Sequence, residues 1–337
     1  MKNTYTLNFI TLELPADTLT PVGIYLRLRD IYPGSLLLEC TDYSSRTNAF
    51  SYICLNPILG IELMGDMLKT YFPGDKVEKN SILNVIDQIN NFIESLEVTG
   101  KSEKLTGQHG LFGFTSFDSA LLFEKYDTSI VKKATIEREV PFLKYDFYKV
   151  VLTFNHFNET LTVTEYYNDE LPLCECDKIL SLLANHNLTS YPFNLEGAEQ
   201  SLVSDSSFKK MVAEAVKHCG LGNVFQMVVS RRYQQRFSGD EFNVYRALRS
   251  VNPSPYLFYF DYIAYKIFGS SPEAQLKVEK GKATINPIAG TIRRTGDAQA
   301  DFKSAQDLLE NPKENSEHVM LVDLARNDLS RSCSNVK

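Results

Sequence analysis

The sequence has few of the residues that build metal or disulfide frameworks. Its six cysteines include one close pair, Cys174 and Cys176, and no C-x-x-C element, which argues against a zinc site and favours reduced, packed thiols. The five histidines stand apart, and none belongs to an H-E-x-x-H motif. We therefore expect each histidine to be structural rather than a metal ligand.

Basic residues are too few for a polyanionic partner. The chain has 35 Lys and Arg against 42 Asp and Glu, and its net charge of −7 gives no broad attraction to nucleic acid or to an anionic membrane. No apolar run approaches the roughly 20 residues that span a bilayer, and the first residues lead into an alternating stretch rather than a signal-peptide core. These patterns predict a cytoplasmic protein.

The sequence is rich in apolar residues. At 337 residues, with 43% apolar and 12% aromatic, it can bury one large core or two moderate ones. Alternating or apolar runs predict strands at residues 6–14, 35–40, 51–55, 147–157, 161–166, 224–237, 256–261, 263–269, 274–278 and 283–288.

Helical periodicity alternates with these strands. One predicted helix has Thr20 as its N-cap and Pro21 at its first position, and another follows Ser81 as N-cap over residues 82–96. Further helices are predicted at 177–185, 208–218, 240–250, 297–309 and 312–325. The mixture lacks βαβ regularity, so it favours an α+β fold. The polar stretch at 188–207 is the best candidate for a domain boundary.

Three segments carry residues suited to chemistry. Gly290 and Thr291 follow a predicted strand, where backbone N–H groups and a hydroxyl can approach an anion, although an ordinary turn has the same pattern. Glu273 follows Gly269-Ser-Ser-Pro, where a partly buried carboxyl could donate a proton, or could match a helix dipole. Glu314 and Glu317 share one helix face, an arrangement that suits Mg²⁺ or a solvated surface.

The helix that carries these two glutamates continues as Val-Met-Leu-Val-Asp-Leu at 319–324, which is too apolar for an exposed helix. We therefore expect it to be buried.

Taken with their neighbours, these segments resemble the chorismate-utilising enzymes, and within them the large subunit of anthranilate synthase. The resemblance is carried by FQMVVSR at 225–231, NPSPY at 252–256, SPE at 271–273, PIAGT at 287–291 and EHVMLVDLARND at 317–328. It implies an α+β fold of two antiparallel sheets packed between outer helices. Residues 1–190 would form an N-terminal region with a regulatory amino-acid pocket, and residues 205–337 the first part of the chorismate-binding catalytic domain.

Two positions separate members of the family. Water-using relatives have a lysine base where this chain has Gln226, and glutamine cannot serve as that base. Many aminodeoxychorismate synthases have a nucleophilic lysine at the position of Ala289, and alanine offers no nucleophile. The pair favours direct addition of ammonia, and thus anthranilate synthase, although each residue singly could be a neutral packing choice.

The resemblance also implies roles for the remaining residues. Mg²⁺ would be held by Glu317 with Glu314 beside it, Ala289, Gly290 and Thr291 would position chorismate, and Glu273 would be the general acid of a lyase reaction. A glutamine amidotransferase small subunit would supply the ammonia. Feedback-inhibited relatives bind tryptophan at two segments, and the residues of this chain that match them are Leu38, Glu39, Cys40, Asn252, Pro253, Ser254 and Tyr256. Cysteine at 40, in place of serine, weakens a hydrogen bond there.

Relatives continue for well over a hundred residues beyond the position of Lys337, with a catalytic histidine, basic residues for the substrate carboxylates and a further glutamate ligand. We therefore expect the 337 residues alone to be inactive. Two other functions remain open: aminodeoxychorismate synthase, some members of which lack the covalent lysine, and a non-catalytic module that binds tryptophan.

Overall fold

A computed structural model describes residues 4–40, 49–74, 76–81, 84–100, 109–123, 140–185 and 187–337. Contacts divide the chain into two compact units, Met1–His186 with Leu248–Lys337, and Asn187–Ala247. Mixed strands and helices confirm the predicted α+β class. Among the described residues, none of the helices has the length and apolar character that crossing a membrane requires.

The strands, in chain order, are β1 (Tyr5–Pro15), β2 (Leu36–Cys40), β3 (Phe50–Met64), β4 (Met67–Phe72), β5 (Lys76–Ser81), β6 (Leu96–Thr99), β7 (Phe112–Thr115), β8 (Leu143–Asn155), β9 (Thr160–Tyr167), β10 (Phe193–Ser201), β11 (Tyr233–Gly239), β12 (Tyr256–Asp261), β13 (Lys266–Ser271), β14 (Lys277–Glu279) and β15 (Lys282–Thr284).

The helices are α1 (Pro21–Leu28), α2 (Val85–Glu94), α3 (Ala120–Phe123), α4 (Cys176–Ala184), α5 (Asp205–Gly220), α6 (Phe242–Val251), α7 (Ala298–Glu310) and α8 (Pro312–Ser330).

One eleven-stranded sheet organises the larger unit. Its main path runs β13-β12-β2-β3-β8-β9-β1-β6, with β4 and β5 extending from β3 and β7 pairing with β8. All described pairs are antiparallel except β1 with β6. The pairing of β2 with β12 joins an N-terminal strand to one more than 200 residues later. The small sheet β14–β15 belongs to the same unit, and β10–β11 belongs to the smaller one.

Both faces of the large sheet bury apolar side chains. On one face Phe147 and Tyr166 pack edge to face at 4.7 Å between ring centroids, at the centre of a large apolar cluster. On the other face lies α1, where Thr20 accepts a hydrogen bond from the Gly23 N–H at 3.0 Å, as its predicted capping role requires. The ring of the fully buried Tyr25 of α1 packs edge to face on that of Tyr259, with 5.8 Å between ring centroids, and this contact fixes the helix against β12.

A buried ion pair holds α4 against the sheet. The carboxylate of Glu165 accepts hydrogen bonds from the backbone N–H groups of Cys174, Glu175 and Cys176 at the helix N-terminus, at 2.8–3.1 Å. Lys149 Nζ lies 3.7 Å from the same carboxylate, and both side chains are at most 6% exposed. Burial alone would raise the pKa of Glu165, but these hydrogen bonds hold it below its usual range.

Some predicted boundaries are wrong. Ser81 ends β5 instead of capping a helix, because α2 begins at Val85 after Asn84, which has a left-handed backbone. Residues 82 and 83, and likewise His186, lie outside the described part of the chain. The strand predicted at 224–237 is confined to β11, and that predicted at 283–288 ends at Thr284.

The prediction that the last helix is buried is also wrong for this chain. No residue of α8 is buried, and Val319 is 66% exposed. The apolar run at 319–324 is unusual for a surface helix, but the described residues pack against only one side of α8 and leave the other side exposed.

Candidate active site

The Gly-Thr turn lies directly against the helix that carries the candidate metal ligands. A Cβ atom built on Gly290 would lie 2.9 Å from the carboxyl carbon of Glu314, closer than real Cβ contacts come, and 3.1 Å from its Cβ, which is tighter than nine in ten of them. Only glycine therefore allows the backbone at 290 to approach this carboxylate so closely. The contact brings the predicted anion-binding turn and the predicted metal site together.

We expect Gly290→Ala to displace the Glu314 side chain and to weaken Mg²⁺ binding about tenfold, the effect typical of disturbing the surroundings of a metal ligand. The measurement is the Mg²⁺ dependence of the melting temperature, with Gly220→Ala as control, because no atom lies within 4 Å of a Cβ built at that position. Equal Mg²⁺ dependence in both variants would contradict the expectation.

The two glutamates lie on the more protected side of α8. Asn311 caps the helix by accepting the Glu314 N–H at 3.2 Å, which sets the helical phase. Glu314, Glu317 and Leu321 follow at three- and four-residue spacing, so they share one face, and each is half-buried. Glu314 is 25% exposed, and Lys313 Nζ lies 3.8 Å from its carboxylate.

This pair fits Mg²⁺ in donor type and in direction. Two carboxylates from one helix face are hard oxygen ligands, and Mg²⁺ is commonly held by one or two carboxylates together with water and substrate oxygens. Within the described residues no cluster of three or more His, Cys, Asp or Glu could hold a metal. Glu314 and Glu317 can therefore supply part of a coordination shell.

Glu273 lies in a cleft bounded by the same helix face. The cleft has a volume of about 1100 Å³ and is lined by Ser271, Glu273 and the β14–β15 hairpin on one side, and by Leu321 and Asp328 of α8 on the other. The Glu273 N–H donates to Ser271 Oγ at 3.2 Å, which fixes the loop after β13. The side chain is exposed rather than partly buried.

The other predicted substrate residues are less enclosed. Ala289 is half-buried beside Gly290, and Thr291 is exposed. Gln226 lies in an irregular, exposed segment of the smaller unit, between α5 and β11, and not on a strand as predicted.

The predicted regulatory segments meet at the pairing of β2 with β12. Cys40 lies opposite Tyr256, and Glu39 lies opposite Leu257. Because side chains alternate along a strand, Leu38, Cys40 and Tyr256 point to one face of the sheet and Glu39 points to the other. The two segments are therefore paired as neighbouring strands, but the side chains of these residues lie on opposite faces of the sheet.

Sequence reasoning missed a partner of Glu39. Arg249, near the end of α6, donates from Nε to both carboxylate oxygens at 3.1 Å. His156 accompanies the pair: its Nε2 lies 2.7 Å from Ser51 Oγ, and burial, followed by the nearby Arg249 charge, lowers the pKa of its ring. The only sequence signal for Arg249 was its place three residues before the NPSPY segment.

The NPSPY segment leaves α6 and is fixed to β13. The Asn252 N–H donates to the Leu248 carbonyl at 2.8 Å, and the Asn252 carbonyl accepts from Ser270 Oγ at 2.7 Å. Ser254 is buried at 7% exposure, whereas Asn252 and Pro253 are exposed. A short loop with both exposed and buried polar groups therefore adjoins Arg249.

This fold and this arrangement of turn, cleft and acidic helix define a class of protein. The chain belongs to the chorismate binding enzymes, whose family model matches residues 39–337.

Within that family the similarity is to one kind of enzyme. The chain is 30% identical over 329 residues to anthranilate synthase component 1 of Lactococcus lactis, covering 95% of this chain and 69% of that protein. Over 339 residues it is also 30% identical to the component 1 enzyme of Saccharomyces cerevisiae, with 95% and 64% covered. The chain thus spans about two thirds of the length of these relatives.

Solved structures agree. Anthranilate synthase component I from Streptococcus pneumoniae matches with a TM-score of 0.59 and 25% identity, covering 94% of this chain and 68% of that one. The menaquinone-specific isochorismate synthase of Escherichia coli matches with a TM-score of 0.60 at 13% identity, covering 97% and 65%, and this second likeness concerns the fold alone.

Proposed function

We propose that the chain is the greater part of an anthranilate synthase large subunit, which converts chorismate and ammonia to anthranilate and pyruvate with Mg²⁺. One observation carries this proposal: the backbone of Gly290 approaches the Glu314 carboxylate so closely that a Cβ atom at 290 would lie 2.9 Å from the carboxyl carbon. A substrate carboxylate held at the turn would therefore lie next to a cation held by Glu314. The relatives named anthranilate synthase component 1 support the same function.

In the proposed reaction each group has one task. Bound Mg²⁺ supplies positive charge that offsets the ring carboxylate of chorismate, and Glu314 and Glu317 would hold it. The N–H groups and hydroxyl at Gly290 and Thr291 orient the substrate beside it. Glu273 donates its proton to the ring hydroxyl, which leaves as water while ammonia adds at the other end of the conjugated system. Loss of pyruvate and a ring proton then gives the aromatic product.

The choice of ammonia over water rests on Gln226 and Ala289. Glutamine cannot deprotonate water as a lysine can. Ammonia needs no such base, because the neutral molecule is already a good nucleophile. Alanine at 289 excludes a covalent attachment to the ring. A separate glutamine amidotransferase subunit is the proposed ammonia source, since a channelled neutral nucleophile avoids protonation in bulk water.

Product analysis tests this assignment. The gene's full product is incubated with chorismate, Mg²⁺ and ammonium salt, and the products are separated by chromatography. Anthranilate supports the proposal, 4-amino-4-deoxychorismate supports the aminodeoxychorismate synthase alternative, and isochorismate would contradict the roles given to Gln226 and Ala289.

We expect no anthranilate from the 337-residue chain alone, because the described residues supply only a pair of metal ligands, on a helix that has no buried residue. The check is anthranilate fluorescence after incubation with chorismate, Mg²⁺ and ammonium salt. Turnover above the buffer control would contradict this prediction.

A regulatory tryptophan site is the second part of the proposal. It would lie where β2 and β12 pair. Leu38, Glu39 and Cys40 would contribute from the N-terminal region 1–190, and residues 252–256 from the catalytic region 205–337. We also propose a cytoplasmic location for the protein, because the substrates of the proposed reaction are small biosynthetic metabolites. A calorimetric titration with tryptophan tests the site, and binding without any chorismate turnover by the gene's full product would favour the non-catalytic alternative.

A further inference from the structure

An exposed thiol lies against the buried amine of Lys149. Lys149 Nζ donates hydrogen bonds to Cys174 Sγ at 3.1 Å and to the Pro172 carbonyl at 2.9 Å. The lysine side chain is 6% exposed, whereas Cys174 is exposed, so the expectation of packed thiols is wrong for this cysteine. A sulfur that solvent reaches and an amine nitrogen that it barely reaches are therefore in contact, although 25 residues separate them along the chain.

Glu165 positions both groups. Its Oε1 atom accepts the Cys174 N–H at 2.8 Å and lies 3.7 Å from Lys149 Nζ. The carboxylate is itself held by the other N–H groups at the start of α4. The sulfur and the nitrogen are thus kept within the separation of about 3–3.5 Å that two atoms adopt before a bond forms between them.

The second thiol of this segment is poorly suited to react with the first. Burial, followed by the hydrogen bond to Glu165 and the charge of that carboxylate, raises the pKa of the Cys176 thiol to about 12. Cys176 is therefore protonated near pH 7, and a thiol attacks an oxidised sulfur only as the thiolate. Of these two candidate nucleophiles, Lys149 is the one whose reacting atom is held at Cys174 Sγ.

We propose that Cys174 and Lys149 form an oxidative modification site, at which hydrogen peroxide converts the contact into a covalent sulfur–nitrogen bond, a sulfenamide. The peroxide first oxidises the thiol to a sulfenic acid and is reduced to water. Nζ then attacks the sulfur, so that the S–N bond forms and the S–O bond breaks. The lysine ammonium gives one proton to the departing hydroxyl, which leaves as a second water, and one proton to solvent.

The product ties β8 to the segment before α4 and removes the positive charge beside Glu165. It is reversible, because a dithiol reduces the S–N bond, restores the thiol and the amine, and is itself oxidised to a disulfide. This inference does not depend on the proposed synthase activity, so the two can fail separately.

Peptide mapping after oxidation tests the site. The folded 337-residue chain is treated with hydrogen peroxide, the remaining thiols are alkylated, and the chain is digested with trypsin. Unmodified chain is cleaved after Lys144, Lys149 and Lys178, so both cysteines lie in a peptide of residues 150–178. Tandem mass spectrometry identifies the products.

We expect a peptide of residues 145–178, two hydrogen atoms lighter than its sequence requires, because trypsin does not cleave after a lysine whose Nζ is bonded to sulfur. Cys176 should be alkylated in that peptide. Dithiothreitol, added after oxidation, should restore both the mass and the cleavage after Lys149. The exposed Cys219 and Cys333 are internal controls for thiols that are oxidised through exposure alone.

Two variants, with circular dichroism melting to establish that each folds, complete the test. Cys174→Ser should lose the linked peptide entirely, and Cys176→Ser should retain it. A peptide of residues 150–178 with a bond between Cys174 and Cys176 would overturn the inference. So would Cys174 recovered as the free thiol or as a sulfinic acid with normal cleavage after Lys149.

Discussion

Replacing Glu273 by glutamine is expected to lower the turnover number of the gene's full product by about 10²- to 10⁴-fold, the contribution typical of a positioned general acid. Glutamine has the size and hydrogen-bonding shape of glutamate but no acidic proton. The loop held by Ser271 Oγ and the Glu273 N–H uses only the backbone of residue 273, so the substitution leaves the loop intact. The loss should therefore be in kcat, with little change in KM.

Glu279→Gln is the matched control. Glu279 ends β14 and is exposed like Glu273, but it pairs with Lys277 on the hairpin at 3.3 Å and is not among the residues that line the cleft. It should keep wild-type turnover, as measured by anthranilate fluorescence at saturating chorismate. A fall of less than about threefold for Glu273→Gln would remove it from the role of acid.

Local sequence patterns were sufficient for most elements of the fold. Alternation predicted β1 and β12, and the Thr20-Pro21 pair predicted where α1 begins, because these signals depend on neighbouring residues only. The pairing of β2 with β12 could not be read in this way, since nothing local specifies which strands meet across more than 200 residues. The strand predicted at 224–237 failed because apolar residues form an irregular segment there.

The candidate active site was predicted in part for the same reason. Helical spacing placed Glu314 and Glu317 on one face, and that arrangement is present. The contact between Gly290 and Glu314 was beyond sequence reasoning, because glycine at 290 has the same appearance in an ordinary turn. Arg249 was missed because a single arginine near a helix end usually lies in solvent, and only the buried Glu39 gives it a partner.

The pairing of Lys149 with Glu165 was also missed, although a signal was present. Lys149 interrupts the apolar run of β8, and Glu165 interrupts that of β9. Charged residues within strands that are buried on both faces are rare unless they are paired. Two such residues in consecutive, antiparallel strands could have been predicted to lie near each other.

Breaking this pair should have the largest effect on stability. We expect Glu165→Gln to lower the free energy of unfolding by about 3 kcal/mol or more, the cost of leaving a buried partner charge without compensation. Lys149, at 6% side-chain exposure, would lose its carboxylate partner, and the N–H groups at the start of α4 would lose a carboxylate acceptor. Urea unfolding of the 337-residue chain, followed by circular dichroism, measures the change.

A double variant and a pH series identify the cause. Adding Lys149→Met to Glu165→Gln should recover part of the lost stability, because the unpaired charge is removed; strict additivity would argue against a coupled pair. The folded pKa of Glu165 lies below its ordinary value of 4.5, so its stabilisation is complete above that value and is lost as the pH falls through the folded pKa. The difference in stability between wild type and Glu165→Gln should therefore be constant from about pH 7 to 5 and should shrink at lower pH. A difference that persisted undiminished in acid would mean that packing, not charge, accounts for the loss.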